Sequence, residues 1–170
     1  MKELPSDFLR LVQEQYGEDL AREFCAALSS TEPEVSVRLN RWKCPVGHFP
    51  QDQPVAWCPD AFYLSERPSF TFDPLFHAGT YYVQEASSMF LAQVLQQYVS
   101  EPVVALDLCA APGGKSTLLR SLLPEDSLLV SNEPIRQRAQ ILAENTIKWG
   151  HPSVVVSQNY PADFTPLENF

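Results

Sequence analysis

The sequence lacks any run of about 18 apolar residues, the length a membrane span requires. Its first residues, MKELPSDFLRLVQEQYGEDL, place charge and proline where a secretory signal needs an apolar centre. Both absences predict a cytoplasmic chain with no membrane partner. Basic residues are scarce: 12 Lys and Arg face 21 Asp and Glu, for a net charge of −9. That balance argues against a stand-alone nucleic-acid grip, which is ordinarily basic, but not against an enzyme that shares such a grip with other domains. No C-x-x-C pair occurs among Cys25, Cys44, Cys58 and Cys109, and the four read as reduced thiols. Cys44, His48 and Cys58 fit no standard zinc module and no fourth ligand is evident, so no metal is expected. Internal repeats and low-complexity segments are also missing. At 45% hydrophobic and 19% charged, the 170 residues suit one domain or two small ones and exclude wholesale disorder.

Within residues 4–28, Phe8, Leu9, Leu11, Val12, Tyr16, Leu20, Phe24 and Leu28 recur at helical spacing. Ser6 or Asp7 would cap a helix beginning near Phe8, and Gly17 would divide two helices. Val35 to Asn40 alternates apolar and polar, as a half-buried strand does. Prolines at 45, 50, 54, 59, 68 and 74 then forbid a long helix and leave short extended pieces such as Ala61 to Leu64. A domain boundary is expected near Asp73, with Phe76 to Tyr82 as the approach to the next domain.

Beyond it the rhythm changes. Glu85 to Tyr98 reads as a helix with Met89, Phe90, Val94 and Leu95 on one side. Val103 to Leu108 is an apolar run suited to a strand buried on both faces. Helix Lys115–Leu123, strand Ser127–Asn132, helix Ile135–Gly150 and strand Val154–Val156 follow, with glycine closing the second helix. Strand, helix, strand, helix, strand with short links predicts a parallel sheet in an α/β arrangement.

The informative stretch is Asp107-Leu108-Cys109-Ala110-Ala111-Pro112-Gly113-Gly114-Lys115-Ser116-Thr117. It follows the first parallel strand and opens a helix, where ligands bind in such sheets. Small residues let the backbone approach a ligand, and the helix start offers free N–H groups. Gly114-Lys115-Ser116 ends like a phosphate loop, which would make the chain a P-loop-like nucleotide-binding module. The first glycine of that motif would fall at position 109, which is Cys109, and Pro112 removes an N–H that would cradle phosphate. S-adenosyl-L-methionine has no phosphates and tolerates this departure. It needs an acid after the first strand, which Asp107 supplies, and a second after the next strand for the ribose hydroxyls. Glu133 stands at that position; by spacing alone it serves equally well as an acid stabilising a helix N-terminus. Lys115 reads either as a support near the cofactor carboxylate or RNA backbone, or as a solvated first-turn lysine.

Tyr82-Val83-Gln84-Glu85-Ala86-Ser87-Ser88-Met89, the Asp107–Thr117 loop, and Asn132-Glu133 with Arg138, Asn145 and Gly150 together resemble the Sun/Nop2-type RNA (cytosine-5) methyltransferases, and most the bacterial ribosomal small-subunit methyltransferase F subgroup. Arg38, Asn40 and Lys43 resemble that family's R-x-N-x-x-K signature. The resemblance runs along nearly the whole chain. It implies a small N-terminal α+β domain, residues 1–73, followed over 74–170 by the first half of a Rossmann-like S-adenosylmethionine-dependent methyltransferase sheet. It implies ribosomal RNA as partner, with cofactor contacts from Asp107, Cys109, Ala110, Ala111, Pro112, Gly113, Gly114, Lys115, Glu133 and Arg138. Asn159 stands where an Asp often contacts the adenine amino group, and its carbonyl oxygen can accept the same bond. Gln84, Glu85 and Ser88 match a motif near the site.

The family mechanism uses a cysteine thiolate that attacks cytosine carbon 6, after which carbon 5 takes the methyl group and a second cysteine aids release. Those cysteines sit on later segments, the nearer one in a D-A-P-C-S-G-type motif. None of this chain's four matches either position, so the 170 residues are expected to hold the cofactor site, to look like the front of a longer enzyme and to be inactive alone. Val103–Leu108 would then be an edge strand, prone to self-association unless a segment such as Phe164 to Phe170 covers it. A non-enzymatic RNA-binding fragment relying on Arg38, Arg41, Lys43 and Arg67 has too few bases among too many acids.

Overall fold

The computed structural model describes residues 4–30, 34–44, 47–49 and 53–167, in two compact units, 1–33 and 34–170. Pro45, Pro50 and the last three residues of the Phe164–Phe170 segment lie outside the described residues. The first unit is a pair of helices, α1 (Ser6–Tyr16) and α2 (Glu18–Ser30). They part at Gly17, whose φ of 80° lies in the left-handed region glycine tolerates. Val12 and Ala21 are the buried apolar side chains of the pair, and the rings of Phe8 and Phe24 lie 6.4 Å apart. Neither Ser6 nor Asp7 caps α1: Pro5 occupies the N-cap position, and no side chain closes the turn. Proline's fixed φ suits that entry without a capping hydroxyl.

The second unit contains two sheets. The front sheet has order β2-β1-β3, all antiparallel, from β1 (Val35–Leu39), β2 (Ala61–Leu64) and β3 (Tyr81–Val83). β3 thus pairs back onto β1 from beyond Asp73, after the one-turn helix α3 (Pro74–His77) that Asp73 caps. β1 is not half-buried as its alternation suggests. Ser36, Val37, Arg38 and Leu39 are all buried, because strands flank β1 on both sides and Arg38 finds polar partners on the opposite face from Val37. Val37, Leu39, Phe70 and Tyr81 form one apolar cluster. Val55, Cys58, Ala61, Met89, Ala92 and Leu118 belong to a second.

The expected helix from Glu85 starts later. Ser87–Phe90 form a 3₁₀ turn, and α4 runs from Leu91 to Tyr98. The Glu85 carboxylate accepts the N–H groups of Ser87 and Ser88, which gives the turn its own cap and delays the helix. Met89 and Ala92 face the core, whereas Phe90 and Val94 are exposed.

The rear sheet is parallel, with order β4-β5-β6 from β4 (Val104–Asp107), β5 (Leu128–Asn132) and β6 (Val154–Ser157). Helices α5 (Gly114–Leu122) and α6 (Arg136–Trp149) connect them. Gly150 closes α6 in the left-handed conformation. β4 lies at the sheet edge, with no second strand beside it among the described residues. It is therefore not buried on both faces: Val104 is 47% exposed. Gly79 marks a close approach of backbones, since a Cβ there would lie 1.9 Å from the Lys148 carbonyl oxygen. No described helix is long and apolar enough to cross a membrane.

Candidate functional site

At the carboxyl end of β4 the chain turns through residues 108–113 and enters α5. Asp107 does not project freely. Its carboxylate accepts the Ser116 hydroxyl at 2.7 Å and the Cys109 N–H at 3.3 Å, pinning the loop at both ends. Gly113, with φ 115°, makes the turn into the helix.

The carbonyls of Ala111 to Gly114 are held from behind. Arg138 donates to the Ala111 oxygen at 3.4 Å and Asn145 to the Pro112 oxygen at 2.7 Å. The Thr117 hydroxyl bonds the Gly113 oxygen at 2.8 Å, and Arg38 bonds the Gly114 oxygen at 3.3 Å. Among the described residues none accepts from the N–H groups of Gly113, Gly114 or Lys115. A tight turn whose carbonyls are satisfied and whose amides are spare is a polar cradle for an acceptor-bearing ligand. Gly114 and Lys115 border an open cleft of about 270 Å³ between Tyr82–Glu85 on one wall and Cys109–Pro112 with these two on the other, and Gly113 is buried beside it.

Glu133 follows β5 and is buried. Its carboxylate accepts the Ile135 N–H at 3.1 Å and pairs with Arg138 at 3.2 Å. It thus serves the entry to α6 and, through Arg138, touches the loop at Ala111. Asn132, just before it, is fully buried. Its amide donates to the oxygens of Leu108 and Asn159, at 3.3 and 2.9 Å, and its carbonyl accepts from the Ser157 hydroxyl and the Asn159 N–H. One side chain ties the carboxyl ends of all three parallel strands. Asn159 enters this network through its backbone, leaving its side chain exposed. Lys115 and Cys109 are exposed at the cleft.

The front sheet reaches this site through residues that sequence reasoning noted only as a signature. Arg38 is buried, and burial lowers its pKa to about 10, leaving it a cation at neutral pH. Asn40 donates to the oxygens of Gly79 and Trp149 at 3.0 and 2.9 Å, and Lys43 to that of Lys148 at 2.8 Å. The last two are carbonyls at the end of α6, where cations and amide donors satisfy orphan acceptors. Arg38 is therefore an internal brace and Lys43 an exposed one, neither a free base, and Arg41 is taken by Asp60 at 2.7 Å. Gln84 gives its oxygen to Arg38 and its amide to Ser88, so it holds structure behind the cleft. Ser87 and Ser88 hold the Glu85 carboxyl below its ordinary value through hydrogen bonds, against burial.

The other candidate chemistry is dispersed. Cys58 lies in the apolar cluster, its thiol pushed up to about 11 by burial, against the Arg38 charge; His48 pairs with Asp73 at 3.2 Å. Among the described residues no three His, Cys, Asp or Glu side chains gather as metal ligands.

Comparison with known proteins covers nearly all of this architecture. Residues 4–86 match the family described as the N-terminal domain of 16S rRNA methyltransferase RsmF, and residues 92–165 match 16S rRNA methyltransferase RsmB/F. Ribosomal RNA small subunit methyltransferase F of Pectobacterium atrosepticum is 30% identical over 166 residues, covering 91% of this chain and 34% of that protein. The Aliivibrio salmonicida protein of the same name is 32% identical, with 91% and 35% covered. The chain thus spans about a third of the length of the curated relatives it matches. Among solved structures, a methyltransferase homolog protein from Pyrococcus horikoshii aligns with a TM-score of 0.76 at 25% identity, over 96% of this chain and 55% of that one. NSun6 from the same organism, solved with SFG, aligns at 0.75 with 15% identity over 96% and 67%, a likeness of fold. Nothing among these comparisons supports a P-loop module. The matched stretches 4–86 and 92–165 carry the front and the rear sheet respectively, and the chain belongs to the RsmF-type family of 16S rRNA methyltransferases.

Proposed function

We propose that this chain carries the methyl-donor site of an S-adenosyl-L-methionine-dependent enzyme that methylates carbon 5 of a cytosine in small-subunit ribosomal RNA, in the cytoplasm. The observation that carries the reading is the loop after β4: the carbonyls of Ala111 to Gly114 are bonded from behind, the amides of residues 113–115 are spare, and Gly114 and Lys115 line the cleft. On this reading Cys109, Ala110, Ala111, Pro112, Gly113, Gly114 and Lys115 wrap the amino-acid end of the donor, with Asp107 shaping the loop. Glu133 receives the ribose hydroxyls, with Arg138 as its partner, and the Asn159 carboxamide receives the adenine amino group. S-adenosyl-L-methionine would supply an activated methyl group; the protein's part is to bind and aim it.

The same proposal assigns no attacking thiolate to these 170 residues. Burial raises the thiols of Cys58 and Cys44, which opposes thiolate formation, and Cys109 belongs to the donor loop. It also divides the chain at residue 73 into an α+β part, 1–73, and a donor-binding part, 74–170, with the pairing of β3 onto β1 as the seam. β4, unpaired on one side among the described residues, is assigned as the surface through which the isolated chain self-associates.

Methyl incorporation from labelled S-adenosyl-L-methionine into small-subunit ribosomal RNA tests the assignment. The pure 170-residue chain should transfer none, and a chain extended through a D-A-P-C-S-G-type segment should form 5-methylcytosine. Transfer by the short chain would move the nucleophile to Cys25, Cys44, Cys58 or Cys109. A methylated product other than 5-methylcytosine from the long chain would overturn the cytosine-5 reading.

A further inference from the structure

We propose that Arg38 is a positioning residue for the donor loop: it touches no ligand and sets the geometry of both walls of the cleft from behind. The inference rests on the donor-site reading above. Arg38 is 1% exposed in the centre of the front sheet, and its guanidinium makes five hydrogen bonds, none of them to a carboxylate. It donates to the Thr117 hydroxyl at 2.6 Å, the Ser121 hydroxyl at 3.2 Å, and the carbonyls of Gly114 and Thr117 at 3.3 and 3.4 Å. The fifth bond goes to the Gln84 side-chain oxygen at 3.0 Å, and the guanidinium lies 4.5 Å from the centre of the Trp149 ring.

Four of the five acceptors belong to α5, and two of those are carbonyls of its first turn. Gly114 is also the residue whose amide opens on the cleft. The fifth acceptor, Gln84, stands in the opposite wall. A buried cation that serves packing alone is poorly chosen, since an apolar residue of similar volume avoids the desolvation. A rigid planar fork that spans Gly114, Thr117 and Gln84 fixes one wall against the other, and a lysine, with a single point charge, cannot. The Thr117 hydroxyl extends the brace, because it passes the contact on to the Gly113 carbonyl. Arg38 therefore couples the front sheet to the amide cradle across 79 residues of sequence.

Arg38→Lys in the 170-residue chain tests this with two readouts. In the ligand-free protein, amide exchange at Thr117, whose N–H donates to the Gly113 carbonyl at 2.9 Å, should quicken by about tenfold or more, while Leu129–Ser131 in β5 keeps its protection. In calorimetry, the dissociation constant for S-adenosylhomocysteine should rise by about tenfold or more. Should Arg38→Lys not fold, Thr117→Val, which removes only the 2.6 Å acceptor, carries both measurements with the same expected direction. Unchanged exchange at Thr117, or quickening spread evenly over both sheets with donor affinity preserved, would overturn the positioning role. A wild-type chain that takes up no S-adenosylhomocysteine would overturn the donor-site reading instead, since the exchange comparison needs no ligand.

Discussion

β1 and β4 invert the usual relation between hydropathy and burial. β1 reads Val-Ser-Val-Arg-Leu, and its Ser36 and Arg38 are as buried as its Val37. β4 reads Val-Ala-Leu-Asp, and Val104 stands nearly half exposed. The difference lies in the neighbours. β1 is the middle strand of its sheet, and every polar group it buries is bonded: Ser36 to the Gln84 carbonyl, Arg38 to α5 and Gln84. A buried polar group so satisfied is stable and specifies one arrangement. β4 has one strand beside it among the described residues, β5. The strand that carries the loop is thus the exposed one, and the strand that braces the loop is the buried one.

The sharpest way to break the braced side is at the seam between α6 and the front sheet. Gly79→Ala drives a Cβ against the Lys148 carbonyl at a position with φ 71°, where both the contact and the backbone oppose a side chain. Equilibrium denaturation should record a loss of roughly 3 kcal/mol or more. A loss under about 0.5 kcal/mol would mean that the two backbones are not held so close.

On the loop side, Glu133→Ala removes the acceptor assigned to the ribose and frees Arg138. Binding of S-adenosylhomocysteine should weaken by roughly 1–3 kcal/mol, the cost of a lost charged acceptor. Unchanged affinity in a variant that still folds would leave Glu133 with only its duty at the entry of α6. The smallest effect on stability belongs to the edge. Val104→Lys adds the kind of charge that natural edges use, and should shift stability by under about 1 kcal/mol. Sedimentation should show that it abolishes self-association of the isolated chain. A wild-type chain that sediments as a monomer would remove the edge as an association surface.

Much of this arrangement was legible in the sequence. The helix break at Gly17, the closing glycine at 150 and the alternating β4-α5-β5-α6-β6 pattern follow from local chemistry, and so does the small-residue turn after β4. Burial was less legible. Alternation along Val35–Leu39 assigns Ser36 and Arg38 to a solvated face, because a period of two says nothing about α5 packing over that face. The apolar run of Val103–Leu108 likewise cannot announce that it lies at an edge. Glu85 looked like helix and instead caps the turn before one. Arg38 and Lys43 stood out only as part of the R-x-N-x-x-K signature. The available signal was their spacing with Asn40: a strand residue, a second strand-end residue and a turn residue, all aimed at helix carbonyls. Asn132 and Asn145 gave only their place in the resemblance, and their carbonyl-holding and strand-tying roles needed the tertiary structure.

The central claim is that a cradle of backbone amides after β4 receives a methyl donor, and amide exchange with and without ligand tests it most directly. Addition of saturating S-adenosylhomocysteine to the 170-residue chain should slow exchange at Gly113, Gly114 and Lys115, while magnesium and ATP leave those amides unchanged. Protection by ATP with magnesium, or S-adenosylhomocysteine protection confined to residues away from the cleft, would contradict the account.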